Sequence, residues 1–142
     1  HHFEFQVRER AEGVERGQLH YRVRAHRPGR DRDDDGDDDD GRRGPVNRFV
    51  STAVTAVNFT DDPAVTPGRR QQASVDTVVF IGTGRWNGTS GYTFEARASD
   101  AGEPGRGRDS VTITIRNPGG AVVSTVTGTL SGGNIQSHRV RR

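Results

Sequence analysis

The chain of 142 residues contains no cysteine, no methionine and no lysine, and only one tryptophan, two tyrosines and six phenylalanines. Without cysteine there is no disulfide framework and no thiolate chemistry. No apolar run is long enough to cross a membrane. Position 1 is histidine rather than methionine, which leads us to expect that an initiator or signal segment has been removed or that the sequence begins inside a longer precursor. Without cysteine, the stability of the fold therefore does not come from disulfides.

The length predicts a single domain that spans residues 1–142. The hydrophobic fraction of 29% is low for a globular chain. Most of this deficit lies in an acidic insertion at residues 27–45 and in arginine- and glycine-rich joints. Elsewhere the apolar residues are regularly spaced, which indicates a folded protein rather than a disordered one.

Charge is distributed very unevenly along the chain. Residues 31–40 hold eight aspartates and one arginine and carry a net charge of −7, and because the whole chain carries +2, the other residues carry +9. Such a dipole suits binding to nucleic acid, binding to an acidic polymer, or head-to-tail stacking of copies. Recognition of nucleic acid requires clustered arginines with exposed aromatic side chains. Because the arginines are scattered along the sequence and aromatic residues are few, we predict no nucleic-acid partner.

Apolar and polar residues alternate with a period of two along most of the chain, which is typical of β-strands. Strong turn signals separate these segments, and Asn87-Gly88 is suited to a two-residue type I′ hairpin. No segment has a helical period. We therefore predict an all-β fold of about eight strands, either an antiparallel β-sandwich or a partly closed barrel. The alternating residues are Phe3, Phe5, Val7; Leu19, Tyr21, Val23, Ala25; Val50, Thr52, Val54, then Val57 and Phe59 after a phase shift typical of a bulge; Val75, Thr77, Val79, Ile81; Tyr92, Phe94, Ala96, Ala98; Val111, Ile113, Ile115; and a final pair at 122–130 and 134–140.

The segment 31–41 has the spacing of a calcium loop, D-x-D-x-D-G-x-x-D. Alternate carboxylates can surround one hard cation, and Gly36 permits the sharp turn that closes the ring. Arg42 occupies the position at which an EF-hand carries a bidentate glutamate, so the segment is not an EF-hand. The alternative is a solvated acidic loop neutralised by nearby arginines. The predicted Ca²⁺ ligands are Asp31, Asp33, Asp35, Asp37 (through its carbonyl oxygen) and Asp39.

Calcium needs six to eight oxygen ligands, so further donors are expected. Candidates to complete the first site are Asp40, Asp61 and Asp62. A second calcium site is conceivable at Asp100, Glu103 and Asp109, around a glycine- and proline-rich loop. We favour the alternative that these residues fix turns through hydrogen bonds from the backbone to their side chains.

Several motifs occur in an order that resembles the post-COAP type of domain, found at the C-termini of bacterial extracellular proteins. The resemblance covers most of residues 3–138 and is most specific from 82 to 138. It implies an extracellular, non-catalytic β domain, although the acidic insertion is not part of that pattern. The motifs are Gly17-Gln18-Leu19-His20-Tyr21, Gly82-Thr83-Gly84, Asn87-Gly88, Gly91-Tyr92-Thr93-Phe94, Asp100-Ala101-Gly102-Glu103-Pro104-Gly105, Asp109, and Leu130-Ser131-Gly132-Gly133-Asn134-Ile135 with His138.

Taken together, these patterns predict a secreted, extracellular calcium-binding protein with a structural or adhesive role and no enzymatic activity. It is expected to form a homopolymer or filament, by strand addition from Phe3–Val7 or by head-to-tail contacts, or to bind another extracellular surface. The alternative is a carbohydrate-binding accessory module that stacks sugars on Trp86, Tyr21 and Tyr92. A third hypothesis is a copper enzyme in which His1 and a second histidine form a brace, the second being His20, His26 or His138.

Overall fold

The computed structural model describes residues 1–8, 16–24, 45–61, 76–102, 106–132 and 135. Within these ranges the chain forms strands and turns and contains no helix, so the predicted all-β antiparallel fold is confirmed. In the same ranges no helix is long and apolar enough to span a membrane. The strands are β1 (His2–Arg8), β2 (Arg16–Arg24), β3 (Val46–Thr60), β4 (Thr77–Trp86), β5 (Thr89–Ser99), β6 (Ser110–Arg116) and β7 (Val122–Thr129).

All seven strands belong to one sheet whose spatial order equals the sequence order, β1 to β7, with antiparallel pairing throughout. The sheet curls into a half-barrel, which corresponds to the partly closed barrel rather than to two packed sheets. Contacts across its concave side show the curl: the Phe5 ring of β1 lies 5.3 Å from the Phe80 ring of β4. Seven strands are described, and the eighth predicted strand, at 134–140, lies outside the described residues except for Ile135.

The core fills the concave inner face of the sheet. Phe80 is at its centre, with the Phe94 ring 5.7 Å away and the Phe49 ring 5.5 Å from Phe94. Gly82 and Gly84 of β4 leave space for these rings, since a Cβ at Gly84 would collide with the ring of Phe49. The other buried apolar residues come from five strands and the C-terminal segment: Leu19, Tyr21, Val57, Val78, Ala96, Ala98, Val111, Ile113, Ile115, Leu130 and Ile135.

The inner faces predicted for β5, β6 and the second half of β3 are confirmed, whereas those of the first parts of β3 and β4 are wrong by one residue. In β3 the buried residue is Phe49, and Val50 pairs with exposed Arg85 on the outer face. The sheet has two register shifts in β3, at Ser51/Ala53 and at Val54/Ala56. The second matches the predicted bulge, while the first restores Val54 to the inner face.

In β4 the buried apolar side chains are Val78 and Phe80, and Ile81 is 41% exposed. The sequence predicts Val79 and Ile81 instead. Residues 78–81 are four consecutive apolar residues, which offer two alternating sets, and the sequence alone does not rank the two sets.

Asn87 (φ 51°) and Gly88 (φ 87°) have the positive φ angles of the predicted type I′ hairpin between β4 and β5. That prediction is confirmed.

Candidate functional site

The two edges of the sheet are the most open parts of its hydrogen-bonding framework. Within the described ranges β1 pairs only with β2, and β7 pairs only with β6. An edge strand has unpaired N–H and C=O groups along one side, which can pair with another chain. Many native proteins protect such edges with charged side chains, proline, bulges or a covering segment.

Strand β7 has none of the usual protective residues. Its eight residues, Val-Val-Ser-Thr-Val-Thr-Gly-Thr, include no charge and no proline. Its pairing with β6 is regular from Thr129 to Ser124, and the one register shift lies at the start of the strand. Val122 and Val123 are 49% and 40% exposed. The edge is therefore uncharged, extended and apolar at one end, which is the chemistry of a strand-pairing site.

Strand β1 at the opposite edge has seven residues and a mixed outer face. Its apolar side chains Phe3, Phe5 and Val7 face inward but are only half buried, although they pack against the core. Glu4 and Arg8 lie on the outer face, where β1 is charged. The two edges therefore differ in charge, while both have apolar side chains on the inner face.

The outer face of β1–β4 is strongly basic, a feature that the sequence prediction missed. Two pairs of arginines stand directly opposite each other on neighbouring strands, Arg8 with Arg16 and Arg22 with Arg48. These residues lie 8 and 26 positions apart in the sequence, so only the strand register brings them together. We call the six exposed arginines of these strands the basic face: Arg8, Arg16, Arg22, Arg24, Arg48 and Arg85.

A chain of hydrogen bonds crosses the open side of the half-barrel. The hydroxyl of buried Tyr21 on β2 lies 3.1 Å from the Ser124 hydroxyl on β7 and 2.8 Å from Nδ1 of His1. Burial raises the pKa of Tyr21 above its ordinary value, and the Ser124 hydrogen bond opposes that shift. Because β2 and β7 lie at positions two and seven of the sheet, this contact joins its two ends.

The predicted calcium loop lies outside the described residues, as do Asp31, Asp33, Asp35, Asp37, Asp39, Asp40 and Asp62. The insertion connects Arg24 to Val46, which are directly paired at one end of β2 and β3. Asp61 is exposed and follows the other end of β3. Because the carboxylates of the insertion lie outside the described residues, Asp61 as a shared ligand stays a prediction.

Asp100 and Asp109 lie at the same end of the sheet and bind backbone N–H groups. Asp109 Oδ1 accepts from the Ala101 N–H at 3.0 Å, and its Oδ2 accepts from the Ile135 N–H at 2.7 Å. Asp100 Oδ1 accepts from the Gly102 N–H at 2.8 Å. This is the turn-fixing role that the sequence favours. No group of three or more potential metal ligands occurs in the part of the chain that the structure describes, from which Glu103 is excluded.

The residues of the two alternative hypotheses lie mainly on the inner side of the sheet. Trp86 pairs with Phe49 and is partly buried against the core, as is Tyr92, and Tyr21 is fully buried. Tyr21 therefore has no exposed ring face, whereas Trp86 and Tyr92 keep part of their surface exposed, and sugar stacking on Trp86 stays a prediction.

For the copper hypothesis, His20 pairs with Glu4 on the outer face, whereas the His1 ring contacts the inward-facing Tyr21. His20 thus lies on the opposite side of the sheet from the His1 ring. His26 and His138 are outside the described residues.

Comparison with known proteins gives no relative from which a function can be transferred. No protein-family model matches this chain, and no curated protein or solved structure is significantly similar to it. The resemblance to the post-COAP type of domain therefore stays a prediction, and the functional argument depends on the chain's own geometry.

Proposed function

We propose that this chain is a secreted, non-catalytic structural protein whose copies assemble by strand addition, the β1 edge of one copy pairing with the β7 edge of the next. The observation that carries the proposal is the uncharged and regularly paired β7 edge, which no described strand covers. Main-chain hydrogen bonds would supply the affinity, as in other cases of β-augmentation.

The two edges are compatible in length and in the chemistry of their faces. Strand β1 has seven residues and β7 has eight, so their backbone groups can pair along nearly the whole length. Pairing that keeps the inner faces aligned places Phe3 and Phe5 beside the half-buried Val126. Because β1 and β7 are different surfaces, the contact is heterologous, and repetition produces a filament unless the rotation happens to close a ring.

Calcium binding by Asp31, Asp33, Asp35, Asp37 and Asp39 is the second part of the proposal, and its support is the spacing of the carboxylates. Eight aspartates within ten residues repel one another, and a divalent cation removes that cost. If the ion binds only the folded chain, its binding free energy is added to the stability of the fold. The ion would then stabilise each subunit without taking part in the strand pairing itself.

The strand-addition proposal is tested with a β7 double variant, Thr125→Lys/Thr127→Lys. These threonines are exposed on the outer face of the edge strand, where charge prevents edge pairing. We expect the wild-type chain to form concentration-dependent assemblies in light scattering and electron microscopy, and the variant to remain monomeric.

The matched control is Thr60→Lys/Thr83→Lys, two exposed threonines of central strands β3 and β4 that do not stand opposite each other. Both variants add two charges and both remove one cross-strand hydroxyl pair, Thr114–Thr125 at 3.3 Å or Thr52–Thr83 at 3.2 Å. The control is expected to assemble like wild type. A monomeric wild-type chain at all concentrations, or equal loss in both variants, would contradict the proposal.

The calcium proposal is tested separately by titration calorimetry with Ca²⁺ and by thermal unfolding with and without EDTA. We expect heat of binding in the calorimeter and a higher midpoint temperature of unfolding when Ca²⁺ is present. Absence of both effects removes calcium from the proposal and leaves the strand-addition experiment unaffected.

A further inference from the structure

The basic face contains a pattern of charge that costs stability. Like charges directly opposite each other on neighbouring strands destabilise a sheet, and this face has two such pairs, Arg8–Arg16 and Arg22–Arg48. Glu4 is the one carboxylate of β1–β4, and it stands opposite His20. Within the described ranges none of the six guanidinium groups forms an ion pair with a carboxylate. An external anion would relieve this repulsion.

The arginines of the basic face are arranged in an elongated stripe along β2. Arg16 and Arg24 mark the two ends of β2, eight residues apart, which corresponds to roughly 26 Å at about 3.3 Å per residue. Arg22 lies between them, and the neighbouring strands add Arg8 at one end and Arg48 at the other. A single small anion engages one end of such a stripe. A ligand that neutralises the whole stripe must carry negative charges repeated along its length.

The surroundings of the arginines indicate what kind of polymer fits. Every phenylalanine, tyrosine and tryptophan of β1–β4 faces the core, so the rings on the outer face of these strands are only the imidazoles of His2 and His20. Single-stranded nucleic acids are generally bound by stacking on larger aromatic platforms. The face is also the surface of a sheet, with no described helix to enter a duplex groove. Guanidinium groups bind carboxylates and tetrahedral oxyanions through paired hydrogen bonds.

From this geometry we infer that the basic face binds an extended anionic polysaccharide, whose repeated carboxylate or sulfate groups lie along β2 and contact arginines of β1, β2 and β3. The site lies on the outer face of the sheet and does not use the edge of β7. It is therefore independent of strand addition, and either proposal can fail without the other.

The test measures binding of polygalacturonate and dextran sulfate by calorimetry or surface plasmon resonance, with neutral dextran as the uncharged reference. The variant is Arg16→Gln/Arg22→Gln/Arg48→Gln. Exposed ion pairs contribute about 0.2–1 kcal/mol each, so three losses are expected to weaken binding by about tenfold. The dependence of affinity on salt should also become shallower, as fewer counterions are released.

The control variant is Arg106→Gln/Arg108→Gln/Arg116→Gln, which removes the same charge from exposed positions near β6. We expect it to bind within about twofold of wild type, because a distant exposed charge is largely screened. Equal weakening of the two variants would overturn the proposal, because it would show that net charge alone governs binding.

Two further measurements keep the test decisive. A chain whose eight aspartates at 31–40 are replaced by asparagine is tested alongside wild type, so that competition from these carboxylates cannot hide the site. No binding of either anionic polysaccharide by either chain overturns the proposal. Single-stranded DNA is the last ligand, and binding as tight as that of the polysaccharides would also overturn it, in favour of nucleic acid.

Discussion

The strands on the two sides of β4 differ in how deeply their inward side chains are buried and in how much charge their outer faces carry. In β6 the three inward side chains, Val111, Ile113 and Ile115, are all buried, whereas the three of β1 are only half buried. On the outer face, β1–β3 carry opposed arginines, while β5–β7 carry mostly threonine, with charge confined to Glu95, Arg97 and Arg116. Within the described residues, the inward apolar side chains of β6 are thus more deeply buried than those of β1, and the opposed arginines lie on β1–β3, although β2 and β3 also contribute buried Leu19, Tyr21 and Phe49 to the core.

This difference separates the requirements of folding from those of binding. Strand β6, with a fully buried inner face and a single charged residue, Arg116, can hold its place in the sheet without a partner. Strand β1, with half-buried apolar side chains and with Arg8 opposite Arg16, is stabilised when an anion binds beside it. The difference also explains why the two proposed contacts lie where they do, with the basic face on β1–β4 and the uncharged edge on β7.

The largest expected effect compares one phenylalanine from each region. Phe94→Ala removes a buried ring that contacts both Phe49 and Phe80 and should lower the free energy of unfolding by about 3–5 kcal/mol. Phe3→Ala removes a half-buried ring and should cost about 1 kcal/mol. Urea unfolding of both variants measures the difference. Equal losses would show that β1 is as important to the core as β5.

A smaller effect is expected at the hydrogen bond that joins the two ends of the sheet. Tyr21→Phe keeps the buried ring and removes the hydroxyl that is hydrogen-bonded to Ser124 and His1. It should lower the free energy of unfolding by about 0.5–1.5 kcal/mol. Ser124→Ala removes only one of these partners and serves as the milder comparison.

The same variant tests the pH dependence of stability. Burial raises the pKa of Tyr21 above 10.0 in the folded chain, so the folded state holds the phenolic proton more tightly than the unfolded state. The stabilisation is complete below pH 10 and is lost as the pH rises through the higher folded pKa. As the pH is raised through the alkaline range, the free energy of unfolding of the wild-type chain should therefore fall more than that of Tyr21→Phe. Parallel curves for the two proteins would contradict this assignment.

The smallest expected effect has the opposite sign. Arg48→Gln removes a charge opposite Arg22 and should raise the free energy of unfolding by about 0.2–1 kcal/mol, most clearly at low salt. Arg116→Gln is the control, since no arginine stands opposite Arg116. Thermal unfolding at two salt concentrations measures the change. A loss of stability in Arg48→Gln would show that its side chain supports the fold, and would remove the repulsion argument for the basic face.

Several elements could be predicted from the sequence because local chemistry decides them. In β5 and β6 only one of the two alternating sets is apolar, so the inner face has no competitor. Asn87-Gly88 adopts the positive φ angles that its residues tolerate best. In β4 the run Val78-Val79-Phe80-Ile81 has two apolar sets, and the choice of Val78 and Phe80 depends on the partners across the sheet.

The candidate surfaces were predicted less completely than the fold. The strand-like character of Phe3–Val7 is visible in the sequence, and β1 is indeed an edge strand among the described residues. The basic face is not visible, because Arg22 and Arg48 are adjacent only through the pairing of β2 with β3. The calcium prediction depends on the spacing of aspartates alone, and the five ligands predicted within the insertion lie outside the described residues.

The sequence by itself determined that this chain is built from antiparallel strands joined by turns, since a period of two and the turn residues are local properties. Only the tertiary structure decided which strands form the edges, which arginines oppose one another, and that Tyr21 reaches Ser124. Those outcomes depend on strand register and on the curl of the sheet, which are set by the packing of Phe49, Phe80 and Phe94 over Gly82 and Gly84. Packing among residues distant in sequence has no local signature, because each contact requires the rest of the fold to be in place.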